Sequence, residues 1–523
     1  MKASVGIVSR AASTLRLHSA EASKTEHSDD TSLDNVVERT LCRARTAQSE
    51  WAERALSDRL GILKTLRLRI AANPREIAAG VSRPDVAETL AAEVLPLLDA
   101  CRFLEIEAPR ILKEKRIGSK ARPMWLWGTR VALRPEALGV VLVIGPSNYP
   151  LMLPGIQILQ AVAAGNAVLI KPAAHCTAAV QTLVDLAIAS GLPADLVQIL
   201  AEDPLTAITA IRSGIDKVLL TGSVNTGRAV SRELAESATP AVMELSGCDA
   251  VFLLDDADPE LASDCLLFGL TLNHSQTCMA PRRVFASDRM VDQILSLLLK
   301  KLIARGCIET VARGDAARTA VEKIQNAVAA GAKLVAGRIS FSTGQAELQG
   351  VVIFDEVTAD MAVTRSDLFV PVLSFLRVRS EEQALQDHQK CPYALSATVF
   401  GSQARCQAFA RKIHAGCVVI NDMIVPTADP RVPFGGRGAS GYGVTRGEAG
   451  LLEMTQLKTI VSTRRWFKPH LQSPTPVDAD VLEQLIRLEH ASGPWQTLAA
   501  VPHMIRATLA QLKFRRTLGE RKS

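Results

Sequence analysis

The sequence predicts an α/β protein built on a parallel β-sheet, followed by a second α/β region. Two observations carry that prediction. Between residues 139 and 245, short apolar runs rich in β-branched residues alternate with helical stretches of about 8–16 residues, and such alternation requires crossover connections between parallel strands. At 523 residues the chain is also long enough for about three domains of ~150 residues each, with no need of disulfide or metal staples.

Each element follows from its local pattern. Residues 33–116 read as mainly helical, with Trp51, Ala55, Leu56, Leu60, Leu63 and Leu66 forming an apolar stripe at helical spacing. The rhythm changes at residues 139–144 (Gly-Val-Val-Leu-Val-Ile), a buried-strand signal that stops in a Gly-Pro turn. A helix over 154–164, a strand over 167–170 and a helix over 177–190 stopped by Gly191 and Pro193 come next. Strands at 197–200, 217–220 and 241–245 complete the series. The second α/β region spans 250–429, with strands at 250–254, 370–376 and 418–420. A linker, Ser473-Pro-Thr-Pro476, then leads into two short amphipathic helices.

Composition excludes several classes. With 48% hydrophobic and 22% charged residues the chain is globular rather than disordered. A net charge of +6 and only 4% aromatics give neither the field nor the stacking surface of a nucleic-acid binder. The ten cysteines are scattered singly without a C-x-x-C pair, which argues against zinc ribbons, iron–sulfur sites and secreted disulfide frameworks and favours a reducing cytoplasm. Residues 137–170 carry no Lys, Arg, Asp or Glu, but Pro146, Asn148, Pro150, Pro154, Gln157 and Gln160 interrupt them, so they read as core rather than a membrane span. Residues 1–20 contain Lys2, Arg10 and Arg16 and no acid before Glu21; they read as a disordered leader in preference to a transit peptide.

The residues that could carry chemistry sit at strand ends. Gly145-Pro-Ser-Asn-Tyr-Pro150 follows the first strand at its carboxyl end, where open α/β sheets bind ligands. Asn148, held between two prolines, suits an oxyanion-binding amide, although a strand exit needs a turn in any case. Thr221-Gly-Ser-Val-Asn-Thr-Gly227 is neither a Walker loop nor G-x-G-x-x-G, yet its amides could receive a pyrophosphate at a helix start. Glu244 ends an apolar strand, where a carboxylate is expensive unless it is bonded or functional. Cys278, in Asn273-His-Ser-Gln-Thr-Cys278, is by itself an ordinary core thiol, and His274 beside it makes a poor local dyad.

In combination the motifs become specific. Gly-Pro-x-Asn-Tyr-Pro150, Ala164-Gly-Asn-Ala-Val-Leu-Ile-Lys-Pro172, Thr-Gly-Ser-x5-Arg228, Met-Glu-Leu-Ser-Gly247 and Gln-Thr-Cys-Met-Ala-Pro-Arg-Arg283 occur in that order. Phe369-Val-Pro371, Pro433-Phe-Gly-Gly436 and Ser440-Gly-Tyr-Gly443 follow. This series resembles the NAD(P)-dependent aldehyde dehydrogenase superfamily, from about residue 35 to about 465, as a divergent, bacterial-type member.

The resemblance implies an aldehyde dehydrogenase-like fold: a Rossmann-like parallel-sheet cofactor domain, an α/β catalytic domain and a small β projection used for oligomerisation. On that pattern residues 35–118 and 139–246 form the NAD(P)-binding domain, 247–430 the catalytic domain and 431–453 a return segment to the cofactor domain. Residues 119–138 and 454–464 form the oligomerisation strands, where Trp125-Leu-Trp127 reads as strand-like; 1–34 are the leader and 465–523 a helical extension. Cys278 matches the nucleophile, Asn148 the oxyanion amide and Glu244 the general base that activates water against a thioester. Lys171 matches a contact to the adenosine ribose; Gly222, Ser223 and Gly227 match the turn beside the pyrophosphate; Phe369 matches the aromatic beside the nicotinamide ribose, with Asp367 in the same motif, and Ser147 is a further cofactor-binding position. NAD or NADP is the implied cofactor, an aldehyde the implied substrate, and a homodimer or homotetramer the implied assembly.

Departures from the family pattern are concentrated around the site. Ala174 stands where an acid commonly grips the ribose hydroxyls, which predicts tolerance of NADP. Asp367 replaces a Glu, Ser246 and Ser275 replace glycines, Cys248 replaces a Lys, and Ser147 stands where Trp is frequent. A CoA-acylating enzyme is the rival within the family, disfavoured by Glu244; a non-catalytic homologue is disfavoured by the joint presence of Asn148, Glu244 and Cys278. The tail opens with Arg464-Arg-Trp-Phe-Lys468 and ends with Lys513, Arg515, Arg516, Arg521 and Lys522. It reads either as a packing element or as a peripheral anchor on anionic lipid, suited to an apolar aldehyde.

Overall fold

The computed structural model describes residues 32–520, apart from 84, 307–310, 313–314, 343–344, 464–467 and 472. Nearly all of the expected leader lies outside these residues, as do Trp466 and Phe467. Ser32 caps the first helix by accepting the Asn35 N–H, so Leu33–Glu53 is already helical and the end expected at residue 34 moves back to the cap.

Helices Leu33–Glu53, Leu56–Ala72 and Leu95–Ile111 pack on the first sheet. Trp51, fully buried, fixes the first of them by donating its indole N–H to the Val162 carbonyl at 2.9 Å. The sheet has six strands in the order Gly441–Tyr442, Ala241–Leu245, Lys217–Gly222, Val140–Ile144, Ala167–Lys171 and Val197–Ile199. Five are parallel, and Gly441–Tyr442 adds antiparallel to Ala241–Leu245. Val140–Ile144 and Ala167–Lys171 are buried at every position, which explains their unbroken apolar runs.

The second sheet has eight strands and holds more than the three the pattern predicts. Asp249–Leu253, Pro281–Ala286, Val372–Arg377, Ser396–Phe400 and Cys417–Ile420 pair in parallel, and Gln345–Asp355 joins beside Val372–Arg377. Pro281–Ala286 was not legible because its run begins Pro-Arg-Arg, yet all six residues are buried. The strand expected at 370–376 starts instead at Val372, because Pro371 has no N–H to give the ladder.

Lys115–Ile117, Thr129–Ala137 and Thr455–Thr463 form a separate three-stranded sheet. Met124–Leu126 is a helical turn and not the strand-like segment expected, since Pro123 fixes its entry and Gly128, at φ 83°, turns the chain out of it. The tail forms helices Pro476–Glu489 and Pro494–Glu520; the second, at 27 residues, is not short. They pair through Asp478, which accepts from Gln511 and, at 3.0 Å, from Arg515.

Candidate active site

The carboxyl ends of the first sheet and the loops of the second enclose an open cleft of about 1520 Å³. Ser147, Asn148, Gly222, Ser223, Glu244, Cys278, Asp367 and Phe369 all line it. Lys171 and Gly227 do not. Lys171 ends the strand next to Val140–Ile144, and burial holds its ammonium below the usual lysine range. A Cβ on Gly227 would lie 2.7 Å from Leu245 Cδ1, so this glycine lets helix Val224–Ser237 approach the sheet. Ser223 caps that helix by accepting the Thr226 N–H at 3.1 Å.

Glu244 is buried, and Thr221 Oγ1 donates to its Oε2 at 3.1 Å while Thr445 Oγ1 donates to its Oε1. Burial raises the carboxyl above its ordinary range, with Thr445, Arg446 and Thr221 opposing. A carboxylate raised in this way accepts a proton more readily than an ordinary exposed one.

Cys278 is half-buried and follows a strained turn. Asn273, His274 and Ser275 are successive non-glycine residues at φ 49°, 53° and 62°, which costs about 1–3 kcal/mol each. Burial, then the carboxylates of Asp249, Glu244 and Asp367, push the Cys278 thiol up to about 12, so it is neutral at neutral pH and must lose its proton before attack.

Asn148 is held from both sides. Its Nδ2 donates to the Gln276 carbonyl at 3.0 Å, and its own backbone carbonyl accepts from Asn273 Nδ2 at 2.9 Å and from Arg83. Arg83 pairs with the fully buried Glu93 at 3.1 Å, and Glu93 accepts the Leu151 and Met152 N–H groups at 3.1 and 2.7 Å. Tyr149 and Thr277 join hydroxyls at 2.7 Å. Sequence reasoning missed Arg83, Glu93 and Thr445, and it placed Thr221 and Arg282 in motifs without giving either a role of its own. The one signal for Glu93 was an acid inside the apolar face of a helix, which here is the π-helical turn Leu90–Val94.

Beside the Lys171 loop, Glu202 brings a carboxylate to the turn that carries Ala174. It accepts the N–H groups of His175, Cys176 and Thr177 at 2.8, 3.1 and 3.1 Å and the Thr177 hydroxyl at 2.6 Å. Those bonds, led by Thr177, hold its pKa at about 2.

Residues 19–460 match the aldehyde dehydrogenase family. The chain belongs to that family. It is an oxidoreductase that converts an aldehyde to the carboxylic acid with NAD or NADP, through the cysteine thioester chemistry general to the family. This dehydrogenase is 30% identical over 432 residues to the 4,4'-diapolycopene aldehyde oxidase of a Methylomonas species, covering 80% of each chain. It is 27% identical over 390 residues to the 4,4'-diaponeurosporen-aldehyde dehydrogenase of Staphylococcus aureus, covering 73% of this chain and 84% of that one. Its fold matches the NADP-dependent glyceraldehyde-3-phosphate dehydrogenase of Bacillus halodurans, solved with NADP, at a TM-score of 0.74 and 25% identity over 82% and 91% of the two chains. Among the described residues no helix is long and apolar enough to cross a membrane, and no group of acids, histidines and cysteines could hold a metal.

Proposed function

We propose that Cys278 is the nucleophile of this dehydrogenase, Asn148 its oxyanion donor and Glu244 its general base. The observation that carries the assignment is that the three line one cleft, with Glu244 held by two hydroxyls and raised in pKa. The Cys278 thiol gives its proton to solvent water as the sulfur adds to the carbonyl carbon, which leaves the Glu244 carboxylate free for the second half of the reaction. The Asn148 amide and the Cys278 N–H hold the resulting oxyanion. When bound, the nicotinamide supplies the hydride acceptor that turns this hemithioacetal into a thioester. Glu244 then removes a proton from water as it attacks the thioester, and the Cys278 thiolate leaves as the acid is released.

The residues fit a dinucleotide. Gly222 and the Ser223-capped helix start would receive the pyrophosphate, where amide N–H groups and the helix dipole favour an anion. Lys171 and Glu202 would meet the adenosine ribose, and Ser147, Asp367 and Phe369 the nicotinamide end. The test is Cys278→Ala in the full chain: turnover is abolished, reduced-cofactor fluorescence titration is unchanged, and more than a few per cent residual activity sinks the assignment.

The substrate we infer is a large apolar aldehyde. No Lys or Arg lines the described cleft, whereas Leu153, Leu245, Leu368, Leu395 and Phe434 do, which suits a hydrocarbon body better than a carboxylate or phosphate. The polyene aldehydes named for two relatives support this reading. A polyene monoaldehyde is expected to exceed succinate semialdehyde at least tenfold in kcat/KM; the reverse order refutes it. We place the protein in the cytoplasm, with all nine described cysteines free. We assign a homo-oligomer to the exposed edge strand Thr455–Thr463, whose Leu457 and Val461 face solvent; light scattering that finds a monomer refutes it. The tail helix carries no acid from residue 494 to 519 and exposes Trp495, Leu498, Ile505 and Leu509, which supports peripheral contact with anionic lipid at about 1 kcal/mol per cation. Failure to co-sediment with anionic vesicles at low salt removes that contact.

A further inference from the structure

Four residues beyond Cys278, Arg282 is the second residue of the buried strand Pro281–Ala286, with its side chain 3% exposed. Its guanidinium reaches two segments at once. On one side Nη1 donates to Ser275 Oγ at 2.7 Å and Nη2 donates to the Ser275 carbonyl at 2.8 Å. On the other, Nη1 donates to the Val370 carbonyl at 2.6 Å, and Asp367 Oδ1 lies 3.9 Å from Nη2. Asp367 Oδ1 in turn accepts the Phe369 N–H at 3.1 Å.

Both segments hold backbone that would relax without a partner. Ser275 ends the run of three left-handed residues before Cys278, and Phe369 is left-handed at φ 54°. Burying a guanidinium is a poor route to stability, because an apolar side chain of similar volume serves as well or better. What an apolar side chain cannot do is fix the separation of two loops with a planar fork of donors. We propose that Arg282 is a positioning residue that clamps the turn leading into Cys278 to the Asp367–Val370 segment, keeping the sulfur-bound carbon in register with the hydride acceptor. The proposal rests on the assignment of Cys278 and Phe369 given above. It also explains how serine is accommodated at position 275, where the grip on both its hydroxyl and its carbonyl compensates for an unfavourable φ.

The test uses full-length Arg282→Lys and Ser275→Ala, with thermal melting as a folding control. Three quantities are read: binding of NADH and NADPH by fluorescence, single-turnover hydride transfer, and its primary isotope effect with 1-deuterated benzaldehyde. Lysine keeps the charge but not the fork. Arg282→Lys is expected to bind reduced cofactor within threefold of wild type while hydride transfer slows by about 10–100-fold, the size expected of an ångström-scale misplacement, and the isotope effect on kcat rises toward its intrinsic value. Adding Ser275→Gly recovers part of that loss, because glycine takes the left-handed backbone unaided. Hydride transfer within twofold of wild type overturns the clamp, as does loss of cofactor binding with hydride transfer unchanged. Should Arg282→Lys fail to fold, Ser275→Ala decides: a drop of threefold or more supports the clamp, and none overturns it. A Cys278→Ala chain that still turns over removes the underlying assignment; a dead Cys278→Ala beside a wild-type-like Arg282→Lys removes only the clamp.

Discussion

The two large sheets differ in what they bury. In the first, Val140–Ile144 and its neighbour Ala167–Lys171 are apolar apart from Lys171 at its very end; Lys217 is buried at the head of its strand against Glu453, and the other polar groups that matter stand near carboxyl ends. In the second, Asp249, Arg282 and Arg283 are buried at the heads of strands, and Arg283 donates through Nε and Nη2 to the Cys248 carbonyl at 2.9 and 2.7 Å. The first sheet is a scaffold with chemistry at its rim. The second carries charges within its strands, next to the nucleophile, and relies on hydrogen bonds to keep them there. Charge removal is therefore expected to act on turnover in the first sheet and increasingly on stability in the second.

The largest expected effect is on the first sheet. Glu244→Gln keeps shape and loses the base, so deacylation falls by about 10²–10⁴-fold, the usual range for positioned proton transfer. Reduced cofactor should appear as a burst of one equivalent per site before a slow steady state. Equal slowing of both phases would make Glu244 a structural residue and erase the contrast.

Glu93→Gln probes the support beneath the oxyanion loop. It takes the nearer carboxylate from Arg83, leaving Glu88 at 4.0 Å as the remaining acidic partner, and it loosens the helix start at Leu151 and Met152. Stability in denaturant should fall, and kcat should drop about tenfold with little change in cofactor binding, as a displaced oxyanion donor predicts. A stable variant with unchanged kcat would show that Asn148 is held without this pair.

The smallest effect belongs to the second sheet. Burial raises the Asp249 carboxyl to about 7 despite the Ser396 hydrogen bonds. The folded chain thus holds this proton more tightly than the unfolded one, whose carboxyl titrates near 4. Its contribution to stability is full below about pH 4 and is lost as pH rises through about 7. Asp249→Asn should melt near wild type at pH 5 and above it at pH 8, by roughly 2–4 °C for each kcal/mol recovered. A melting difference independent of pH would mean that Asp249 stays charged throughout.

The same contrast explains what was legible. The strands of the first sheet could be read because their charged residues, Lys171, Lys217 and Glu244, stand at or next to strand ends, and Asn148, Glu244 and Cys278 could be read because their motifs are local in sequence. Pro281–Ala286 was hidden by its two arginines, and Ser396–Phe400 by its mixed Ser-Ala-Thr-Val-Phe composition. Arg83, Glu93 and Arg282 were hidden for another reason. Arg83 and Glu93 act on the Asn148–Met152 segment 58–65 residues away, Arg282 acts through Ser275 and Val370, 7 and 88 residues away, and no spacing along a chain announces that Arg282 will meet both. Glu202 was hidden in the same way, since it accepts the His175, Cys176 and Thr177 N–H groups from a loop 25–27 residues further along.

The two hydroxyls on Glu244 arrive at very different times. Thr221 lies 23 residues before it, whereas Thr445 comes 201 residues later, just past the strand Gly441–Tyr442 that pairs with Met243 and Glu244. A growing chain can assemble the parallel strands of the first sheet early, but their outer edge stays uncovered and Glu244 half-bonded until this late segment is made. A chain halted before residue 440 therefore presents an open strand edge for pairing with other chains, and its base lacks a second donor. Order of synthesis thus sets an order of completion: the carboxylate proposed to activate water gains its second donor only after the segment carrying Cys278 has been made.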